Sequence, residues 1–422
     1  MSVALPKEIN YEVAPALPSA TQVLNQATQP VNGSSFTPGS VINLDLISRG
    51  CLVPDSMYIS YNIALTQATA ADAEMRGCPA YTPFSSLSVQ VGSQTVDTIN
   101  SYNVLMNMLT NVSMTVSEKY GQMGSLGYGP TTAATGTSID DLDGHLCNGA
   151  LNDTFDVSAP LMSVISNSEK LLPLFAMGQV RLSLTVDEIL NIFTTTKTPS
   201  AFTISNVTLR YKTVDFGGAV ESMIRASNPV IQIKSQSFGV SSTTLAAGST
   251  GQQDLVFNQR YASCKSVFAI NGTSTTTGNQ QFDSVNLAAG SSYSFMVGGV
   301  QYPQRRLNSS TERAGFMNEL RSAVGSVFDR TNTMAINAFE FSFNATDSGT
   351  TYISPGKLYV GTSLERLNTD AMLTGISTQN SPITYQITLG AATNSASTIT
   401  LVMNFDAIWN IDAVNGQTTL AK

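Results

Sequence analysis

The one histidine of the chain, His145, lies in the run Asp140-Asp141-Leu142-Asp143-Gly144-His145-Leu146-Cys147. Carboxylate, imidazole and thiol groups this close are the types that build a metal centre or a Cys–His nucleophile. Their spacing fits neither. A calcium loop needs acids at alternate positions before its glycine and a bidentate acid beyond it, and only Asp141 and Asp143 comply. The four cysteines, Cys51, Cys78, Cys147 and Cys264, form no CxxC pair, so structural zinc is not expected. A Ser-His-Asp triad would have to use His145, and no Gly-x-Ser-x-Gly elbow accompanies it. Gly217-Gly218 and Gly298-Gly299 lack the Gly-Lys-Ser/Thr ending and the Gly-x-Gly-x-x-Gly spacing of phosphate loops, and read as strand ends and turns. Paired glycosidase carboxylates meet only in a fold, so the sequence leaves them open. The 138–147 run reads as a polar loop tip. No catalytic residue, metal ligand or cofactor is assigned.

Composition points away from chemistry and towards surface. Of 422 residues, 42% are apolar and 12% charged; the charged share is about half the usual one. Ser, Thr, Asn, Gln and Gly must cover the exterior. Two readings fit: a secreted β-protein with a Ser/Thr-rich exterior, or a subunit whose flanks neighbours cover, since long charged side chains are depleted inside interfaces. The net charge is −8 and the longest basic run is Arg305-Arg306. Specific nucleic-acid binding is therefore not expected, because it needs a basic face that displaces counterions. Sparse cysteines suit buried free thiols in a reducing compartment. The first eleven residues lack a signal-peptide pattern, and no apolar run approaches a membrane span. Folding in the cytosol is the expectation.

The chain is long enough for two cores of about 200 residues each. Residues 1–38 carry five prolines without periodicity and read as an arm. Alternation then marks strands at Ile42–Leu46, Met57–Leu65 and Leu87–Val91, the last ending at Gly92. Tyr102, Leu105, Met106, Leu109 and Val112 recur at three and four, which predicts a helix over 100–113. Met106 and Met108 read as core or subunit contacts. Residues 121–149 read as a long loop. Val180–Val186 and Phe202–Tyr211 predict further strands. Then come a short helical piece with Val220, Met223 and Ile224 on one face, a break at Asn228-Pro229, and a strand from Ile231.

The second half repeats this order. Strands are expected at Leu255–Phe257 and Ser266–Ile270, with a turn at Asn271-Gly272, and at Tyr293–Val297 before Gly298-Gly299. Ser309-Ser310-Thr311-Glu312 offers a capping box for a helix that presents Phe316, Leu320 and Val324. Strands follow at Phe339–Phe343, Ile383–Leu389 and Ile399–Phe405, before a tail with the only tryptophan, Trp409. Strand, glycine and helix recur at an offset of about 200 residues, and a duplication fixes architecture before any motif does. The fold class expected is all-β: two tandem eight-stranded antiparallel jelly-roll β-sandwiches, each with a short helix. The boundaries are 1–38 arm, 39–216 first jelly roll, 217–228 linker helix, 229–406 second jelly roll and 407–422 tail. Residues Phe216–Asn228 are expected to set the angle between the two. The stretch Gly299-Val300-Gln301-Tyr302-Pro303-Gln304-Arg305-Arg306 reads as a loop, solvated or at an interface.

Several strings also resemble a known family. Phe202-Thr-Ile-Ser-Asn-Val-Thr-Leu-Arg-Tyr-Lys-Thr-Val-Asp-Phe216, with Ile231-Gln-Ile-Lys-Ser-Gln-Ser-Phe238 beyond the helix, is similar to the inter-barrel junction of double jelly-roll major capsid proteins. These belong to small double-stranded DNA viruses, the polinton-like viruses and virophages of the PRD1–adenovirus lineage. Leu171–Leu184 resembles a strand entry of their first barrel; Leu255–Ser263 and Gly298–Gln304 resemble parts of their second. The resemblance spans most of residues 40–406 in order and texture, and the 121–149 region matches nothing in it. It implies a non-enzymatic virion subunit, a homotrimer of pseudo-hexagonal outline that tiles an icosahedral shell around DNA. Implied partners are the other chains of the trimer, neighbouring capsomers, and penton and minor capsid proteins; an internal membrane stays open. Assembly would take place in the host cytoplasm or nucleus. The arm and the Trp409 tail would tie trimers together or face the interior, so deleting residues 1–35 is expected to spare the trimer and impair the shell. The alternative is a carbohydrate-binding or adhesive β-sandwich surface or fibre protein, which predicts exposed Trp and Tyr platforms. A β-rich hydrolase is disfavoured by the single histidine.

Overall fold

The computed structural model describes residues 21–66, 73–128, 144–147, 154–193, 199–274, 282–328, 335–336, 357–366, 373–393 and 396–422. The first half holds β1 (Gln22–Thr28), β2 (Ser35–Phe36), β3 (Val41–Asp45), β4 (Cys51–Thr66), β5 (Ala73–Arg76), β6 (Phe84–Val91), β7 (Gln94–Asn100), β8 (Gly144–Cys147), β9 (Thr154–Pro160), β10 (Leu172–Pro173), β11 (Val180–Val186) and β12 (Ala201–Asp215). The second holds β13 (Val230–Leu245), β14 (Gly251–Phe257), β15 (Cys264–Ser274), β16 (Ser292–Val297), β17 (Val300–Asn308), β18 (Tyr359–Ser363), β19 (Ile383–Leu389), β20 (Ser397–Asp412) and β21 (Thr418–Ala421). The α-helices among the described residues are α1 (Tyr102–Ser113), α2 (Val116–Gly121), α3 (Met123–Leu126), α4 (Ile189–Ile192), α5 (Gly218–Ser227) and α6 (Arg313–Val327).

Both halves use one strand order. In the first, β1-β12-β4 continues to β10, with β9 also beside β4, and faces β3-β11-β6-β7. In the second, β13-β20-β15-β18 faces β14-β19-β16-β17, with β21 added to β20. In each half the first strand pairs antiparallel with a long closing strand, β1 with β12 and β13 with β20. This pairing across nearly the whole half is that of a jelly roll, and it appears twice. Alternation built the sandwiches. Phe202, Ile204, Leu209 and Tyr211 of β12 are buried while their neighbours are not, as a half-buried strand requires. In β20 every residue from Ile399 to Ala407 is buried, so that strand is covered on both faces. The glycine turns recur too: Gly92 and the Gly298-Gly299 pair all have positive φ and close the β6–β7 and β16–β17 hairpins. Each hairpin then leads into a helix, α1 or α6.

The structure departs from the sequence expectations at definite places. Gln22–Thr28, inside the expected arm, is a strand paired residue by residue with β12. Its mixed Gln, Asn and Thr content hid the alternation. The expected tail begins inside β20, which carries Trp409 and runs on to Asp412. Asn271-Gly272 is not a turn but part of β15, where a Cβ at residue 272 would lie 2.8 Å from the Thr398 carbonyl oxygen. Val300–Asn308 is an edge strand rather than a loop. The stretch 121–149, expected as a long loop, starts at the last residue of α2 and includes α3 and β8. The box at Ser309 does not form: Ser309 is buried, and Glu312 accepts instead from the Asn308 backbone, whose side chain accepts from Ser310 and Thr311 N–H. A capping box does occur at Thr115 with Glu118, ahead of α2. The strand expected at Phe339–Phe343 lies outside the described residues.

Candidate functional site: the seam between the sandwiches

Among the described residues, those with chemical potential do not converge. Gly144–Cys147 forms a short ladder with Ala73–Arg76 that sets His145 opposite Met75, in place of a loop tip. Asp140, Asp141 and Asp143 lie outside the described residues. Among the described residues, no three His, Cys, Asp or Glu side chains are grouped to hold a metal ion. Cys51, Cys78 and Cys264 are free and buried. Burial pushes the Cys51 and Cys78 thiols up to about 11 and Cys264 to about 12, the reverse of what a nucleophilic thiolate needs. Asp406, buried deep in the second sandwich, accepts at its Oδ2 from Ser263 Oγ at 2.6 Å and from the Thr374 N–H at 2.9 Å, pinning a loop.

What does converge is a polar seam between the halves. The Val164 carbonyl of the first half accepts from Ser235 Oγ on β13 and, at 3.4 Å, from Trp409 Nε1 on β20. One turn further, Glu169 N–H donates to the Lys234 carbonyl at 3.0 Å and Asn167 Nδ2 to the Gln236 carbonyl at 3.2 Å. The Lys234 ammonium lies 3.5 Å from the Glu169 carboxylate. Asp97, at the heart of β7 and 3% exposed, accepts from Ser237 Oγ on β13 and from Lys422 Nζ beyond β21. Asn111 on α1 donates to the Tyr359 hydroxyl on β18 at 3.1 Å and accepts from Lys119 at 2.7 Å. The Ala335 N–H donates to the Val112 carbonyl at 2.9 Å. Every residue of α1 from Tyr102 to Val112 is buried; its polar stripe of Asn103, Asn107, Thr110 and Asn111 is hydrogen-bonded inside the protein, as buried polar groups must be. Met106 and Met108 are core.

The linker helix takes little part. α5 has no buried residue, and Met223 is 61% exposed. Its hold on the first sandwich is Arg225, which donates to the Phe175 carbonyl at 2.6 Å with its guanidinium over the Phe175 ring. Asp215 stands at its entry, accepting from the Gly217 N–H at 2.9 Å and from Arg49 at 2.8 Å; these bonds hold its carboxyl below the usual range. The hydrogen bonds between the halves run through the 164–169 segment, β7, β13 and β20, whereas α5 bonds to the first half through Arg225. Sequence reading missed Val164, Asp97, Ser235 and Ser237 because each is an ordinary residue on a strand or loop, and it placed Trp409 in a tail, whereas Trp409 is buried in β20 against the first half.

Hydrogen-bonded ladders cover the flanks. On the first sandwich Arg181 grips Asp45 through two bonds of 2.6 and 3.0 Å, Ser183 bonds Asn43 at 2.8 Å and Ser86 bonds Thr185 at 3.0 Å. On the second, Arg306 reaches from β17 across to Thr388 at 2.6 Å, Gln386 at 3.2 Å and Gln252 at 3.2 Å. Arg305 pairs with Glu312. Short polar side chains tied to one another lose little freedom when a neighbour covers them.

Solved structures share this arrangement over nearly the whole chain. The quasi-atomic model of the PBCV-1 virus capsid aligns with a TM-score of 0.60 at 12% identity, covering 98% of this chain and 99% of that one. The Faustovirus major capsid protein aligns at 0.60 with 9% identity, over 96% and 92% of the two chains. The crystal structure of the mavirus major capsid protein aligns at 0.51 with 12% identity, over 100% and 95%. No protein-family model matches the sequence, and no curated protein does. The chain has the double jelly-roll fold that these viral capsid proteins share.

Proposed function

We propose that the chain is a major capsid protein, a structural subunit without enzymatic activity. The observation that carries this reading is the twofold jelly roll within one chain, fastened by a buried seam. Three such chains around an axis present six sandwiches, a pseudo-hexagonal outline that tiles an icosahedral shell around DNA. A homotrimer of this kind has neighbouring capsomers on its flanks and penton and minor capsid proteins at special positions; an internal membrane beneath it is compatible. The neutral, hydrogen-bonded flanks suit repeated contacts that must form without strong charge. The site of action is the virion, after assembly in the host cytoplasm or nucleus. The adhesive reading wants exposed aromatic platforms, and Trp409 is fully buried. The test is the mass of the purified protein in solution with electron microscopy of the same sample. A trimer with a six-sided outline is the expected result; a stable monomer that forms no capsomers refutes the proposal.

A further inference from the structure

A cavity of about 330 Å³ opens beside the seam, within the size range of small-molecule sites. Its wall is apolar: Met57 of β4, Met106 and Leu109 of α1, Leu126 of α3, Leu161 after β9, and Phe328 following α6 from the second half. The polar groups in that wall are already spent on the protein. Thr110 Oγ1 donates to the Met106 carbonyl at 2.7 Å and Tyr81 OH to the Pro160 carbonyl at 2.8 Å. Ser166 Oγ donates to the Ser163 carbonyl at 3.0 Å, and Asn167 is held across the seam. A guest would therefore be bound through its apolar body. Unbranched methionine side chains adapt to such a body. One charged residue is among those lining the cavity, Asp55. It is exposed, as are Ser113 and Gln122, so these three define the mouth.

We propose that this cavity binds a small amphiphile whose apolar body fills the methionine-lined interior and whose neutral or cationic polar end lies at Asp55. An anionic end is disfavoured there by like charge, since no described lining residue is a cation that would offset it. Because Phe328 comes from the second half and the other wall residues from the first, an occupant contacts both sides of the seam.

Two fluorophores that differ by one charge test this on the full chain: N-phenyl-1-naphthylamine, which is neutral, and its 8-sulfonate. The neutral probe is expected to bind and to be displaced by decan-1-ol. The sulfonate should bind about three- to tenfold more weakly, the scale of one exposed like charge at short range. Leu161→Trp, which fills the interior, should abolish binding of the neutral probe. Asp55→Asn, at an exposed position where folding is not at stake, should bring the sulfonate close to the neutral probe. Unchanged binding of the neutral probe to Leu161→Trp would overturn the site. Equal affinity of the wild type for both probes, or an Asp55→Asn variant that still discriminates, would overturn the assignment of its mouth.

Discussion

Trp409 is the residue on which the seam argument can be broken. Its indole is fully buried, sits on β20 opposite Ile233 and Leu420, and reaches the Val164 carbonyl of the other sandwich. Burying an indole removes roughly 200 Å² from water, about 5 kcal/mol at 25 cal/mol per Å². That is an upper value, because the unfolded chain is already partly compact. Trp→Ala in a core costs about 3–5 kcal/mol. Trp409→Phe keeps most of the volume and forfeits the 3.4 Å hydrogen bond, worth about 0.5–1.5 kcal/mol. The Val164 carbonyl would still accept from Ser235, which places the Phe variant at the low end. Urea unfolding followed by far-ultraviolet circular dichroism reads both. Trp409→Ala should lower stability by about 4 kcal/mol and split the transition, as the sandwiches lose their coupling; Trp409→Phe should stay within about 1.5 kcal/mol with one transition. A Trp409→Ala protein that loses under about 1 kcal/mol and unfolds in one step would refute the claim that this contact joins the halves.

Other expectations follow from the same geometry. Removing residues 1–28 strips β1 from β12 and should produce aggregation through the bared edge, measurable by light scattering. Gly272→Val forces a side chain into the Thr398 carbonyl and should cost about 1–3 kcal/mol or more in urea unfolding. Asp215 has a depressed folded pKa, so its contribution is present above the ordinary carboxylate range and lost as pH falls through the folded value. Asp215→Asn should therefore destabilise the protein at pH 7 by under about 1 kcal/mol, since Arg49 is largely in water, and the difference from wild type should vanish in acid. Iodoacetamide should leave Cys51, Cys78 and Cys264 unmodified in the native protein at pH 8 and label them on unfolding, as peptide mapping would show.

Much of this molecule is legible in its sequence because a strand with one buried face writes period two into the chain. Ile59, Tyr61, Ile63 and Leu65, or Ile383, Tyr385 and Ile387, announce their strands without help. So do the turn glycines, since few other residues accept positive φ. Repetition of these signals at about 200 residues is enough to give two like sandwiches. What alternation cannot carry is which strand edges and loops meet. Val164 and Trp409 are 245 residues apart, Asp97 and Ser237 are 140, and Asp97 and Lys422 are 325. Nothing local distinguishes Ser235 or Ser237 from the many serines that face solvent; only the packed seam makes their hydroxyls indispensable, because a buried carboxylate or carbonyl there needs a donor. The same holds for β1, whose polar residues read as an arm until β12 supplies the edge against which its backbone pairs. The sequence by itself determined two β-sandwiches with sparsely charged exteriors. The tertiary structure decided how they are locked together, since that depends on hydrogen bonds between residues that no local pattern relates.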